Sequence, residues 1–177
     1  MNLNRLLKLS KILNISFVCF ICLPIALGAC NKVTGAFGDY WWECNNKRVT
    51  QIARPFWSDQ ISAIQIVGDN IIWRYRSGFA NQYAYYANDV NNGDHFSINR
   101  ITSIADQFWS DQISFFTIPS GGNNLRVHYR FKDGFADNYA YWYHCIGAAN
   151  SVRITGLADL FWGESITGFS VTGNTAT

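Results

Sequence analysis

The chain has 177 residues, of which 49% are apolar, 16% aromatic and 15% charged, with a formal net charge of +2. So few charges, with no basic stripe among them, speak against nucleic acid as a partner. The 7 Trp, 9 Tyr and 13 Phe, set among frequent Gly and Asn, favour short strands joined by tight turns over a helical bundle.

The first 29 residues read as an export signal. Arg5, Lys8 and Lys11 form a basic start, and an apolar run from Ile12 to Ala29 follows, broken only by Asn14 and Ser16. Ala26-Leu27-Gly28 places small residues at the −3 and −1 positions of a signal peptidase site. The same stretch also reads as a lipobox, Leu27-Gly28-Ala29-Cys30, in which Cys30 is lipidated. An uncleaved anchor is the third reading, and no later stretch is long enough to span a bilayer. Removal of residues 1–29 leaves 148 residues with 11 Lys/Arg against 12 Asp/Glu, a formal −1. The expected location is therefore secreted, periplasmic or lipid-anchored at the envelope, with membrane contact only through a lipid or an uncleaved signal.

Cys19 and Cys22 leave with the signal, and Cys30, Cys44 and Cys145 remain. Cys44 and Cys145 close similar aromatic runs, Tyr40-Trp-Trp-Glu-Cys44 and Tyr141-Trp-Tyr-His-Cys145, and an oxidising compartment would allow them to pair. If Cys30 carries no lipid, Cys30–Cys44 is an equal alternative. Free buried thiols are the plain one.

The strongest feature is an internal repeat. Phe56-Trp-Ser-Asp-Gln-Ile-Ser62 recurs as Phe108-Trp-Ser-Asp-Gln-Ile-Ser114 and, altered, as Phe161-Trp-Gly-Glu-Ser-Ile-Thr167, at spacings of 52 and 53 residues. Val49-Thr-Gln-Ile-Ala, Ile101-Thr-Ser-Ile-Ala and Ile154-Thr-Gly-Leu-Ala precede them. Gly78-Phe-Ala-Asn-Gln-Tyr-Ala-Tyr also matches Gly134-Phe-Ala-Asp-Asn-Tyr-Ala-Tyr, with a shortened form at Ala36-Phe-Gly-Asp-Tyr-Trp-Trp.

Inside each copy the periodicity is that of strands. Ile64-Gln-Ile66, Ile72-Trp-Arg-Tyr-Arg and Leu125-Arg-Val-His-Tyr-Arg-Phe131 alternate apolar with polar residues. Gly68-Asp-Asn and Gly121-Gly-Asn-Asn mark turns between them. One copy reads as a strand ending near Gly78, an aromatic strand through Tyr86, a strand near Ile98 to Ile104, an acidic corner, and a strand from Ile113 to Ile118. Four short strands per copy fit an antiparallel Greek key.

These residues resemble the microbial βγ-crystallin motif. Tyr129-Arg-Phe-Lys-Asp-Gly-Phe135-Ala-Asp137 is similar to its aromatic strand, with Ala in place of the family's second Gly. Trp109-Ser-Asp-Gln-Ile-Ser114-Phe is similar to its acidic corner. The resemblance spans about residues 30 to 172, with motifs at 30–68, 71–119 and 125–172. It implies an all-β, antiparallel Greek-key β-sandwich. Such motifs usually pair, so the odd third one would be available to another copy in a homodimer. A β-trefoil, also three units of four strands, is the alternative fold.

The resemblance implies calcium at the corners, where hard oxygen ligands suit that ion. The corresponding ligands are Asp59 and Ser62 with the Gln60 carbonyl, Asp111 and Ser114 with the Gln112 carbonyl, and Glu164 with Thr167 in the third copy. Two departures weaken the sites. Ser58, Ser110 and Gly163 stand where the family has Asn or Asp, and Ala63, Phe115 and Gly168 where it has its final Ser. The purely structural reading has Asp and Ser capping backbone N–H groups in tight turns, with Trp57, Trp109 and Trp162 as core plugs.

Catalysis finds no support in the pattern. His95, His128 and His144 occupy unlike places in the repeat and show no metal or triad spacing, and alternation turns His128 to solvent. No nucleophile elbow, phosphate loop or nucleotide fingerprint occurs. The expectation is an exported non-enzymatic protein, either a calcium-linked structural or stress module or a recognition module. The latter would bind sugar or a proteinase through exposed aromatics on Gly78–Tyr86 and Gly134–Tyr143. The plain account buries half of those rings in the core.

Overall fold

The computed structural model describes residues 30–56, 60–78, 82–91, 99–106, 112–119, 125–133, 138–159 and 166–177. Among them there is no helix, and every sheet pairing is antiparallel.

Three sheets repeat one plan. The first holds β1 (Cys30–Thr34), β2 (Tyr40–Cys44) and β3 (Lys47–Arg48), with Ala53 bridging to Tyr40. The second holds β4 (Ile61–Val67), β5 (Asn70–Ser77) and β6 (Gln82–Asp89), and both β7 (Asn99–Arg100) and β8 (Ala105–Asp106) pair with β6. The third matches it with β9 (Ile113–Thr117), β10 (Arg126–Lys132), β11 (Asn138–Cys145), β12 (Val152–Arg153) and β13 (Ala158–Asp159). A final hairpin, β14 (Val171–Thr172) and β15 (Thr175–Ala176), copies the β4–β5 turn: Gly68 and Gly173 take φ of 56° and 57° at the same place. In each sheet the strands lie side by side in chain order. The sheets also divide the repeat elsewhere than at 30–68, 71–119 and 125–172, because Ile61–Val67 belongs to the second sheet and Ile113–Thr117 to the third.

Local chemistry accounts for the turns. Asn45 and Asn46 join β2 to β3 with φ of 54° and 61°, the pair of left-handed residues that a two-residue hairpin of matching twist requires. Ala63, Phe115 and Gly168 stand at one position of the repeat with φ of 50°, 49° and 74°. In the first two the strand pairing slips by a residue there, as at a β-bulge. The position therefore demands positive φ, and only the third copy meets the demand with glycine.

The sheets stack. Ile71 and Trp73 face the first sheet and pack with Tyr40, Cys44, Val49 and Ala53. Ile72, between them in sequence, faces the third sheet with Ala87, Ile101 and Val127. All three side chains of β5 are fully buried because the middle sheet is covered on both faces. The contact between successive units is itself repeated: Trp42 and Ile64 pack against one core cluster, Tyr85 stacks on Phe116 at 3.9 Å, and Tyr141 stacks on Phe169 at 3.7 Å.

One threonine fastens each unit. Thr50 Oγ accepts from Trp42 N and donates to Gln51 O. Thr102 does the same with Tyr85 N and Ser103 O, and Thr155 with Tyr141 N and Gly156 O. Each hydroxyl satisfies a donor and an acceptor where the broken outer strand bends away from its neighbour.

The cysteines correct one expectation. Cys44 is bonded to Cys30, its register partner across β1 and β2, and Cys145 is a free, half-buried thiol, so the Cys44–Cys145 pairing is not formed. The sulfur of Cys30 is committed to this bridge, and a thioether-linked lipid there would require giving the bridge up.

Candidate functional site

The corner residues fall into three groups. Asp59, Asp111 and Glu164 lie outside the described residues, as do Trp57, Trp109, Trp162 and His95. Gln60 and Gln112 are buried, and Ser62 and Ser114 sit where β4 and β9 begin. Thr167 is exposed ahead of the final hairpin.

Gln60 and Gln112 act through their side chains, which the sequence reading missed. Gln60 Oε1 accepts from Arg54 N at 2.6 Å and its Nε2 donates to Arg76 O at 3.2 Å. Gln112 likewise accepts from Asp106 N and donates to Lys132 O at 3.1 Å. Their backbone carbonyls, the atoms assigned to calcium by the crystallin resemblance, accept from Arg76 N and Lys132 N, both at 2.8 Å. Each glutamine thus ties the end of one unit to the first hairpin of the next. The signal for this was the identical Gln in two copies, one residue beyond the acid that drew attention.

The serines behave differently. Ser62 Oγ and Ser114 Oγ are both buried and lack a hydrogen-bond partner among the described residues. A buried hydroxyl without a partner is costly, and its recurrence at equivalent places argues for a shared cause. The register sets Ser62 opposite Arg74 and Ser114 opposite Arg130, so a cationic side chain starts from the neighbouring position of each corner. Those arginines lie over rings: Arg74 Cζ is 4.2 Å from the centre of Tyr83 and Arg130 Cζ 4.7 Å from that of Tyr139, while Lys32 Nζ covers Tyr40 at 4.0 Å.

The histidines correct a second expectation. His128 does not face solvent: it is 1% exposed, as is His144, because the third sheet is covered on both sides. Burial pushes both imidazoles below their ordinary pKa. His144 Nδ1 lies 3.1 Å from Ser151 Oγ, which donates to Ile101 O of the second unit. One unit earlier, Asn88 occupies the place of His144 and donates directly to Val49 O of the first unit. The two residues are thus ties between units. Burial also raises the phenols of Tyr75, Tyr85, Tyr86 and Tyr129, which stay protonated at neutral pH. Among the described residues no three His, Cys, Asp or Glu side chains converge as a metal cluster.

Several large apolar side chains stand in water. Ile52, Ile104 and Leu157, equivalent in the repeat, are all exposed, and Phe37 and Phe56 are 92% and 89% exposed. No known protein family, curated protein or solved structure matches the chain.

Proposed function

We propose that the chain is an exported, non-enzymatic recognition module whose repeated units present apolar side chains to a partner. The observation that carries this reading is the recurrence of Ile52, Ile104 and Leu157 in solvent, together with the exposure of Phe37 and Phe56. Folding gains nothing from exposing the same apolar position three times, and exposed aromatics bind protein surfaces and sugar faces well. The glutamine, asparagine and histidine side chains, by contrast, are engaged in holding units together. The resemblance to microbial βγ-crystallins rests on the aromatic-strand and corner sequences. A Greek key would return its fourth strand beside its first, whereas the described strands of each sheet follow chain order.

The test compares the protein with a Phe37→Ser/Phe56→Ser/Leu157→Ser variant on a glycan array and on envelope surfaces. Loss of binding with an unchanged melting temperature supports the reading. Equal binding by both proteins, or none by either, refutes it.

A second reading has its own observation. The partnerless Ser62 and Ser114 hydroxyls suit a hard cation, which would also use the second lone pairs of the Gln60 and Gln112 carbonyls and the adjoining Asp59 and Asp111 of the motif. Calcium bound there would stabilise the fold by linkage. A rise of several degrees in the melting temperature with millimolar calcium over chelator, abolished by Ser62→Ala with Ser114→Ala, is the expected result. Superimposed melts would leave the corners as structural turns.

A further inference from the structure

The contact between the second and third units contains a groove that the first contact fills. In the first contact, Trp73 Nε1 donates to Gln51 Oε1 at 2.7 Å, and these two large side chains occupy the space beside the outer strand. In the second contact the same two positions hold Tyr129 and Ser103, both smaller. A groove of about 210 Å³ opens there, lined by Arg100, Thr102 and Ser103 of the second unit and Trp142, Asn150 and Ser151 of the third.

Its floor is fixed. Tyr129 is buried, and its hydroxyl lies toward Ser151 and the Ser103 backbone. Ser151 is held in turn by His144 and Ile101 O. Thr102 is committed to its strand. The walls offer polar groups: no hydrogen bond to another described residue holds the Ser103 hydroxyl or the Asn150 amide, and the Arg100 guanidinium acts on the Tyr86 and Tyr129 phenols through its charge alone among the described residues. Among the described residues Arg100 is the one charged side chain that lines the groove.

These groups form a complementary set. An indole offers a flat apolar face, a hydroxyl and an amide offer neutral donors and acceptors, and a guanidinium matches a carboxylate with two parallel hydrogen bonds. A ligand that uses all of them has a ring with one apolar face, several hydroxyls and a carboxylate. The volume admits one such ring and is below the usual range of about 300–1,000 Å³ for drug-sized ligands. We propose that the groove binds a uronic-acid-type sugar, with its carboxylate on Arg100, its ring face on Trp142, and its hydroxyls on Ser103 and Asn150. The site lies between sheets and does not use the exposed apolar row, so it stands or falls separately from the reading above.

The test is a calorimetric titration of the protein with glucuronic acid, methyl glucoside and a uronic-acid oligosaccharide. Two variants join it: Arg100→Ala, which removes the cation, and Ser103→Gln, which restores the filling residue of the first contact. The expected result is binding of an acidic sugar, weakened roughly tenfold or more by Arg100→Ala and by Ser103→Gln. Methyl glucoside should bind at least as much more weakly. Unchanged melting temperatures show that both variants fold. If free glucuronic acid binds, the source is a monosaccharide; if only the oligosaccharide binds, it is a polymer. The proposal is overturned if no acidic sugar binds, if the neutral sugar binds equally well, or if folded Ser103→Gln keeps full affinity. Phe37→Ser/Phe56→Ser should bind as the parent does.

Discussion

Replacing Gln60 with alanine probes the tie that the corner forms between units. The amide of Gln60 accepts one hydrogen bond from Arg54 N and donates one to Arg76 O, and the side chain is buried. Two such bonds contribute about 1 kcal/mol each, and removing a buried partner adds about 1 kcal/mol or more of unrecovered desolvation. The expected loss is about 2–4 kcal/mol. For a chain of this size, that lowers the melting temperature by roughly 5–15 °C. Urea unfolding followed by circular dichroism measures it. Gln60→Glu separates the two bonds, because a carboxylate still accepts from Arg54 N but cannot donate to Arg76 O. It should be unstable at neutral pH and recover in part when acid restores a donor. A cost under about 0.5 kcal/mol for Gln60→Ala would refute the reasoning, since surface substitutions cost that little.

Three further outcomes are expected. Between pH 7 and 5 stability should fall, because the unfolded chain protonates histidines near pH 6.5 while burial holds His128 and His144 neutral in the fold. The native state then binds fewer protons, and His144→Asn, which copies Asn88, should flatten part of that slope in melts at stepped pH. Cys44→Ser should cost about 3 kcal/mol by opening the loop closed with Cys30, and Cys145→Ser far less; peptide mapping under non-reducing conditions checks the pairing. At the left-handed position, Ala63→Gly should be neutral or stabilising by up to about 1 kcal/mol, whereas Ala63→Val should cost about 2 kcal/mol, both read by denaturant midpoints.

The repeat, the strand class and the Gly68 turn were legible because they are local: alternation, turn residues and recurrence need no knowledge of neighbours. The phase of the repeat was not legible. A periodic sequence gives the length of a unit but not where a sheet begins, and hydrogen bonding assigns Ile61–Val67 to the sheet that follows its corner. His128 was misplaced for a related reason. Alternation tells which residues share a face, and here the other face is covered as well. The glutamine ties were hidden because their acceptors, Arg76 O and Lys132 O, lie 16 and 20 residues away. The bridge from Cys44 to Cys30 was weighed only as an alternative, since the lipobox reading reserved Cys30 for a lipid.

The repeated stacking has a consequence for how such a chain can change. Among the described residues successive units meet through recurring contacts, Tyr85 on Phe116 and Tyr141 on Phe169, with Trp42 and Ile64 packed at the equivalent place of the first contact. The chain's energetics are therefore those of a short row of dominoes, with terms for each piece and for each junction. The junctions can diverge one at a time: Asn88 bridges directly where His144 works through a serine, and Trp73 with Gln51 seals what Tyr129 with Ser103 leaves open. Duplication supplied spare seams, and a seam that loosens in one place leaves its neighbours sound.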